Sequence, residues 1–570
     1  MPIKVLQRDK DSEKIIWDQM KNPPSSMHRS ISGSQNRAMA KFIVWLILFV
    51  STTYVVYTLK LRRLAYPPVN QLHGGAVCGI RNGERNRDMK KITSQRRLTN
   101  KSKLPIPPGP KPWPLVGSFP EILRSGKPAF RWIHNFMDEM KTEIACIRLG
   151  ATYVIPVTSP ELAREFLKKQ GTVFSSRPVC MSADLISNGY QSSIFLPPGD
   201  KWTKMRKILQ SHVLSPATLH WLHDKRAEEA DYLVKYIYTR CCMRGVNVRI
   251  VSRQYCGNVI SKMVFNMRFF GNGEEEELLK AMFDLLQTLY GLGVSDHIPW
   301  LSVFDIDGYK SIIKKGMSVM RKHLDTQVDT RVQMWKDGIK TVEEDILDVL
   351  VMLKDNAGKP LLSDTEIKTQ VLEMMLATTD NPSNAVEWAL AEMINQPKVL
   401  EKSVKEIDTL VGKERLVEES DLPNLNYVKA CIKEAFRLPH VSLADTAVGG
   451  YSIPKGSQVL LSRAGLGRNA KAWEEPLMFK PERHLNGGEV DLNDSELNLL
   501  AFSTGRRGCP AVKLGSLMTT MLMARLLQGF TWSLPPTLPC ISLTEAKHDL
   551  FLENPLVALV KPILPHNLYL

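Results

Sequence analysis

One long apolar helix constrains the fold more tightly than anything else in the sequence. At Ser363 and Glu366 the chain carries a capping-box pattern that marks a helix start. Apolar residues then recur through Ile367, Val371, Leu372, Met374, Met375, Leu376, Ala385, Trp388, Ala389, Leu390 and Met393, before Pro397 ends the run. The pattern predicts a helix of about 32 residues, roughly 48 Å at 1.5 Å per residue. A helix so long and so apolar must cross the middle of a large domain. Pro382 falls in its interior, removes one backbone hydrogen bond and is expected to kink it.

A second apolar run has a different character. Phe42 to Leu59 contains no charge and is long enough to cross a hydrocarbon layer of about 30 Å. Phe42, Trp45, Tyr54 and Tyr57 sit towards its ends, as an interfacial belt requires. The tract from Lys60 to Lys103 is strongly basic, with only Glu84 and Asp88 against it. That asymmetry places the mass that follows in the cytoplasm and holds it against anionic lipid. It accounts for much of the formal net charge of +16 without nucleic acid as a partner. No small-residue cleavage site follows the run, so it reads as a retained single-pass anchor rather than a signal peptide.

The expected organisation is a polar, disordered extension over 1–41, an anchor over 42–59, a basic linker over 60–106 and one catalytic domain over 107–570. The stretch Pro107-Pro108-Gly109-Pro110-Lys111-Pro112-Trp113-Pro114 opens that domain as a stiff extended spacer. Beyond it the pattern is mainly helical with few strands, and 44% hydrophobic against 24% charged residues is enough for a packed core.

The nine cysteines are scattered, odd in number and include no C-x-x-C pair, which argues against a disulfide framework and a zinc site. One of them stands apart. Cys509 lies in Phe502-Ser503-Thr504-Gly505-Arg506-Arg507-Gly508-Cys509-Pro510-Ala511, a loop that runs into the apolar stretch Leu514 to Leu527. Gly505 and Gly508 permit a tight turn, and the helix start and Arg507 favour negative charge on sulfur. A lone thiolate without partner ligands matches a haem, which brings its own four in-plane nitrogens.

The pattern F-x-x-G-x-R-x-C resembles the haem-binding loop of the cytochromes P-450. Glu434-Ala435-Phe436-Arg437 resembles the superfamily's E-x-x-R, and Pro481-Glu482-Arg483 its later arginine segment. The resemblance assigns Glu434, Arg437 and Arg483 to a structural ion-pair triad. It makes Cys509 the iron ligand of a haem b, with Phe502, Gly505, Arg507, Trp202, Arg206 and His440 as further haem-binding residues. The implied fold is mainly α with a small β region, the haem lying between the central helix and the helix after Cys509. Electrons would come from NADPH through a membrane-bound cytochrome P-450 reductase, on the cytoplasmic face of the endoplasmic reticulum.

Asn381-Pro382-Ser383-Asn384-Ala385, Leu425-Asn426-Tyr427-Val428-Lys429-Ala430 and Thr504-Gly505-Arg506-Arg507-Gly508-Cys509 are similar to the plant family 79 of this superfamily. Its members convert an L-amino acid by N-hydroxylation to an aldoxime, which feeds defence compounds and volatiles. Most of the wider superfamily carries an acid followed by threonines in the central helix. Here Asp380 is followed by Asn381, Pro382 and Ser383, so these four are the expected catalytic segment, with water, Ser383 or the substrate amine serving for the missing hydroxyls. Phenylalanine is the amino acid this reading leans to. Hydroxylation of a lipophilic metabolite is the alternative activity. An inactive, degenerate copy is another, because a short His-Pro-rich stretch that the family carries after Arg437-Leu438 is missing before Pro439.

Overall fold

The computed structural model describes residues 104–241, 245–271, 275–438, 451–485, 487–493, 497–536, 538–546 and 551–570. The chain divides into two units, Met1–Lys101 and Ser102–Leu570, and the described residues belong to the second. The expected anchor over 42–59, the extension and most of the basic linker lie outside the described residues. So do His440 and the missing-stretch junction after Leu438. Among the described residues, no helix is long and apolar enough to cross a membrane.

The elements that position the site are seven helices and six short strands. The helices are α1 (Asp200–Ile208), α2 (Val248–Phe265), α3 (Glu275–Tyr290), α4 (Tyr309–Lys336), α5 (Asp364–Asn395), α6 (Asn426–Arg437) and α7 (Val512–Gly529). The strands are β1 (Ile147–Leu149), β2 (Thr152–Val157), β3 (Val246–Asn247), β4 (Gln458–Leu461), β5 (Phe530–Ser533) and β6 (Val557–Pro562). One sheet has the order β1-β2-β4, with β1 antiparallel to β2 and Ile155 opposite Val459 in the parallel pair. The other has the order β3-β6-β5, antiparallel throughout. The architecture is mainly α with small sheets, as expected.

Helix α5 is the predicted central helix. Ser363 caps it reciprocally with Glu366, and 24 of its 32 residues are buried, so it runs through the core and not over it. α2, α4, α6 and α7 all pack on it. The helix continues through Pro382, which leaves the Thr378 carbonyl without its usual helical donor. Hydroxyls crowd this point. Thr378 Oγ1 donates to the Met374 carbonyl at 2.8 Å, Thr379 Oγ1 to Met375 at 3.0 Å, and Ser383 Oγ to Thr379 and Asp380 at 2.8 Å each. Such back-bonding loosens a helix locally.

Further along α5 a buried ion pair fixes it. Arg249 Nε of α2 donates to Glu387 at 2.9 and 3.1 Å, and the Leu556 N–H donates to the same carboxylate at 2.9 Å. The proline-rich spacer is seated on β1's side of the first sheet, where the Cys146 N–H donates to the Pro108 carbonyl at 2.8 Å. At Gly109 a Cβ would stand 1.8 Å from the Cys146 carbonyl oxygen, so only glycine lets the two backbones approach so closely.

Candidate functional site

Cys509 sits between a tight loop and the first turn of α7. Gly505 adopts φ 74°, and a Cβ there would lie 2.7 Å from the Leu167 carbonyl oxygen. That left-handed residue turns the chain back, so that the Cys509 N–H donates to the Phe502 carbonyl at 2.8 Å. The sulfur accepts from the Ala511 N–H at 3.3 Å. Burial pushes the thiol pKa up, while the Ala511 N–H and the Arg206 guanidinium favour the thiolate. Arg206 is a cation that acts on the sulfur. Arg507 reaches across the loop to the carbonyls of Ser175 and Leu196, at 2.5 and 2.6 Å.

Cys509 opens on a cavity of about 520 Å³, within the usual range of about 300–1,000 Å³ for ligand and cofactor sites. α5 contributes Glu373, Ala377, Thr378, Asn381 and Pro382 to its lining. Within the otherwise buried middle of α5, Ala377 and Asn381 are exposed and Thr378 is half-buried, because all three face this space. Arg206 and Arg507 lie on its margin. The Arg507 guanidinium stacks 4.5 Å from the centre of the Trp202 ring, one turn before Arg206 on α1. Trp202 Nε1 is buried and has no hydrogen-bond partner. A thiol, a stretch of α5 and two guanidiniums beside a buried donor, all on one cavity, fit a flat macrocycle with anionic side groups. A haem, with its axial position and two propionates, suits that donor set.

Glu434 and Arg437 of α6 form the core of a separate network. They pair through two bonds of 2.7 and 2.8 Å with neither side chain exposed. Arg483 Nε reaches the same carboxylate at 3.0 Å, completing the expected triad. The Lys480 N–H adds a bond at 3.0 Å and His484 Nε2 one at 2.8 Å. Burial would raise the Glu434 pKa, but the hydrogen bonds from Arg437 and His484 outweigh it and hold the carboxyl at about 2. His484 went unassigned in the sequence, although it directly follows Arg483. Burial lowers its own pKa, and the bond to Glu434 offsets this only in part.

The four-residue catalytic segment divides in two. Asn381 and Pro382 line the cavity; Asp380 and Ser383 do not. Successive helical residues turn by about 100°, so four consecutive positions span more than one face. Asp380 accepts from Asn384 Nδ2 at 2.8 Å, and the Ser383 hydroxyl is spent on the helix backbone. Neither is a candidate for direct contact with substrate. Conversely, Glu373 and Asp296 line the cavity and were not singled out.

Cys146, Cys256 and Cys431 are buried and free. Among the described residues, no His, Cys, Asp and Glu cluster could hold a metal ion by itself, and a single sulfur beside a macrocycle-shaped space is a different kind of site.

Residues 107–559 match the family model described as Cytochrome P450. A tryptophan N-monooxygenase of Prunus mume is 51% identical over 489 residues, covering 82% of this chain and 92% of that protein. Isoleucine N-monooxygenase 1 of Lotus japonicus is 50% identical over 502 residues, covering 84% and 94%. The phenylalanine N-monooxygenase of Arabidopsis thaliana is 50% identical over 490 residues, covering 82% and 93%.

Proposed function

The chain belongs to the cytochrome P450 family and, within it, to family 79, and from that premise we propose that it N-hydroxylates an L-amino acid to give the corresponding aldoxime. The observation that carries this reading is the cavity that Cys509 lines together with Asn381 and Pro382. Haem bound by the Cys509 thiolate supplies the oxidising chemistry, with electrons from NADPH delivered by a reductase.

The chain's own residues do the rest. Gly505 and the Phe502 carbonyl fix the cysteine backbone, while Arg206 and the Ala511 N–H steady the sulfur charge. Trp202, Arg206 and Arg507 would hold the propionates, and Phe502 packs edge-on against Phe436 of α6 at 5.8 Å. The Thr378 hydroxyl is directed into the helix backbone, and neither Asn381 nor Pro382 carries one. Protons must therefore reach the site through water or through the substrate's own amine.

The remaining parts of the proposal concern the setting. Residues 42–59 anchor the protein in the endoplasmic reticulum membrane, and the basic tract keeps the catalytic domain cytoplasmic. The reductase is membrane-bound, phenylalanine is the first substrate to try, and lipophilic hydroxylation is set aside. Expression in microsomes tests the whole reading. The reduced, carbon monoxide-bound protein is expected to absorb near about 450 nm, the mark of thiolate ligation. Aldoxime should then form from an amino acid in the presence of NADPH and reductase. A normal spectrum with no aldoxime from any protein amino acid would sink the proposal.

A further inference from the structure

An amino acid enters this cavity as a zwitterion, and both of its charges need a counterpart once water is excluded. Cations on the wall are plentiful: Arg177, Arg206, Arg463 and Arg507. Among the described lining residues only two are acidic, Glu373 and Asp296. Asp296 belongs to the separate short helix Val294–His297, where Ser182 donates to both of its oxygens, at 3.0 Å from the N–H and 2.7 Å from the hydroxyl. Glu373 is on α5, one turn before Ala377 and two before Asn381, so the three share the helix face that lines the reacting space. It is nine-tenths buried.

The hydrogen-bond partners of Glu373 are all neutral, and the Arg206 guanidinium acts on it without a hydrogen bond. Ser193 Oγ donates a short hydrogen bond to one oxygen, and the Ile194 N–H lies 3.3 Å from the other. Both donors come from a segment that lines the same cavity and lies against α5. We infer that Glu373 binds the substrate ammonium and accepts one of its protons, leaving the amine nitrogen with the lone pair that N-hydroxylation requires. The transfer balances without any further reactant: the N–H bond breaks, the carboxylate becomes a carboxylic acid, and the substrate becomes a neutral amine. Burial raises the Glu373 pKa, and the hydrogen bonds from Ser193 and its neighbours lower it less, so the wall is disposed to take up a proton.

This inference rests on the amino-acid reading, and the experiment separates the two. L-Phenylalanine, L-tryptophan, L-isoleucine and L-valine, each beside its deaminated acid, are titrated into the haem-loaded full chain while the Soret shift is followed. At least one amino acid should bind the wild type. Glu373→Gln should weaken that amino acid about 30-fold or more, with the deaminated acid changed by no more than about threefold. Equal weakening of both ligands, or of neither, overturns the assignment. So does the same selective loss in Asp296→Asn in place of Glu373→Gln. A wild type that binds none of the four overturns the amino-acid reading itself, whereas binding retained in Glu373→Gln overturns only the role of Glu373. If Glu373→Gln does not give the absorption near 450 nm, Ser193→Ala poses the same question through the carboxylate's orientation. Selective weakening of the amino acid supports the role, and unchanged selectivity refutes it.

Discussion

Two buried glutamates, Glu434 and Glu373, are served in opposite ways. Glu434 meets two guanidiniums, an imidazole and a backbone N–H, and its carboxyl is held at about 2. Glu373 is hydrogen-bonded only to neutral groups, with the Arg206 charge acting from a distance, and its carboxyl is pushed up. A permanently ionised carboxylate enclosed by cations is a fixture of the scaffold. A carboxylate left with neutral partners on a cavity wall has room for a cation to arrive. The comparison teaches that burial by itself does not separate framework from chemistry, whereas the charge of the partners does.

Substitution puts the contrast under the greatest load. Glu434→Gln leaves Arg437 and Arg483 facing an uncharged group, and is expected to cost about 3–5 kcal/mol of stability and to depress haem content. Glu373→Gln removes no ion pair and is expected to change stability by less than about 1 kcal/mol. Urea unfolding of the two variants beside wild type measures both. Equal losses would break the comparison.

Acid titration sharpens it. The folded Glu434 pKa lies below its ordinary 4.5, so its stabilisation is fully present above 4.5 and is lost as pH falls from there to about 2. Glu373 shifts the other way: its contribution is present below 4.5 and is lost as pH rises through its raised folded value. The difference in unfolding free energy between wild type and each variant, followed from pH 7 downward, should therefore shrink for Glu434→Gln in acid. For Glu373→Gln it should instead move in favour of the wild type.

Two smaller effects probe how the scaffold carries each site. Gly505→Ala places a Cβ at φ 74° against the Leu167 carbonyl and is expected to cost about 1–2 kcal/mol. The loss should appear first as conversion of the 450 nm species, because the distortion falls on the loop of Cys509. Ser363→Ala removes the cap of α5, far along the helix from Asn381, at an expected cost of about 1 kcal/mol. Thermal unfolding should register it, with amino-acid binding unchanged.

The features legible in the sequence are those written in adjacent residues. The capping box at Ser363 and Glu366 depends on three-residue spacing, and α5 begins and ends where that spacing and Pro397 require. Gly505, Cys509 and Glu434 lie in short motifs that the structure assembles locally. Glu373 was illegible for the opposite reason. Its neighbours Leu372 and Met374 disclose an apolar helix, but its donors Ser193 and Ile194 come from about 180 residues earlier in the chain. His484 was passed over because its role depends on a fold that brings it to α6. Asp380 and Ser383 lie off the cavity because a motif names a run of residues, while a helix distributes that run around its axis.

Helix α5 is clamped at Ser363 by its cap and at Glu387 by Arg249 and Leu556, with Pro382 between the clamps. In mechanical terms it is a beam fixed at two supports with its one weak section over the span that faces Cys509. A ligand reaching Ala377 or Asn381 therefore meets the stretch of α5 whose backbone hydrogen bonding is locally weakest.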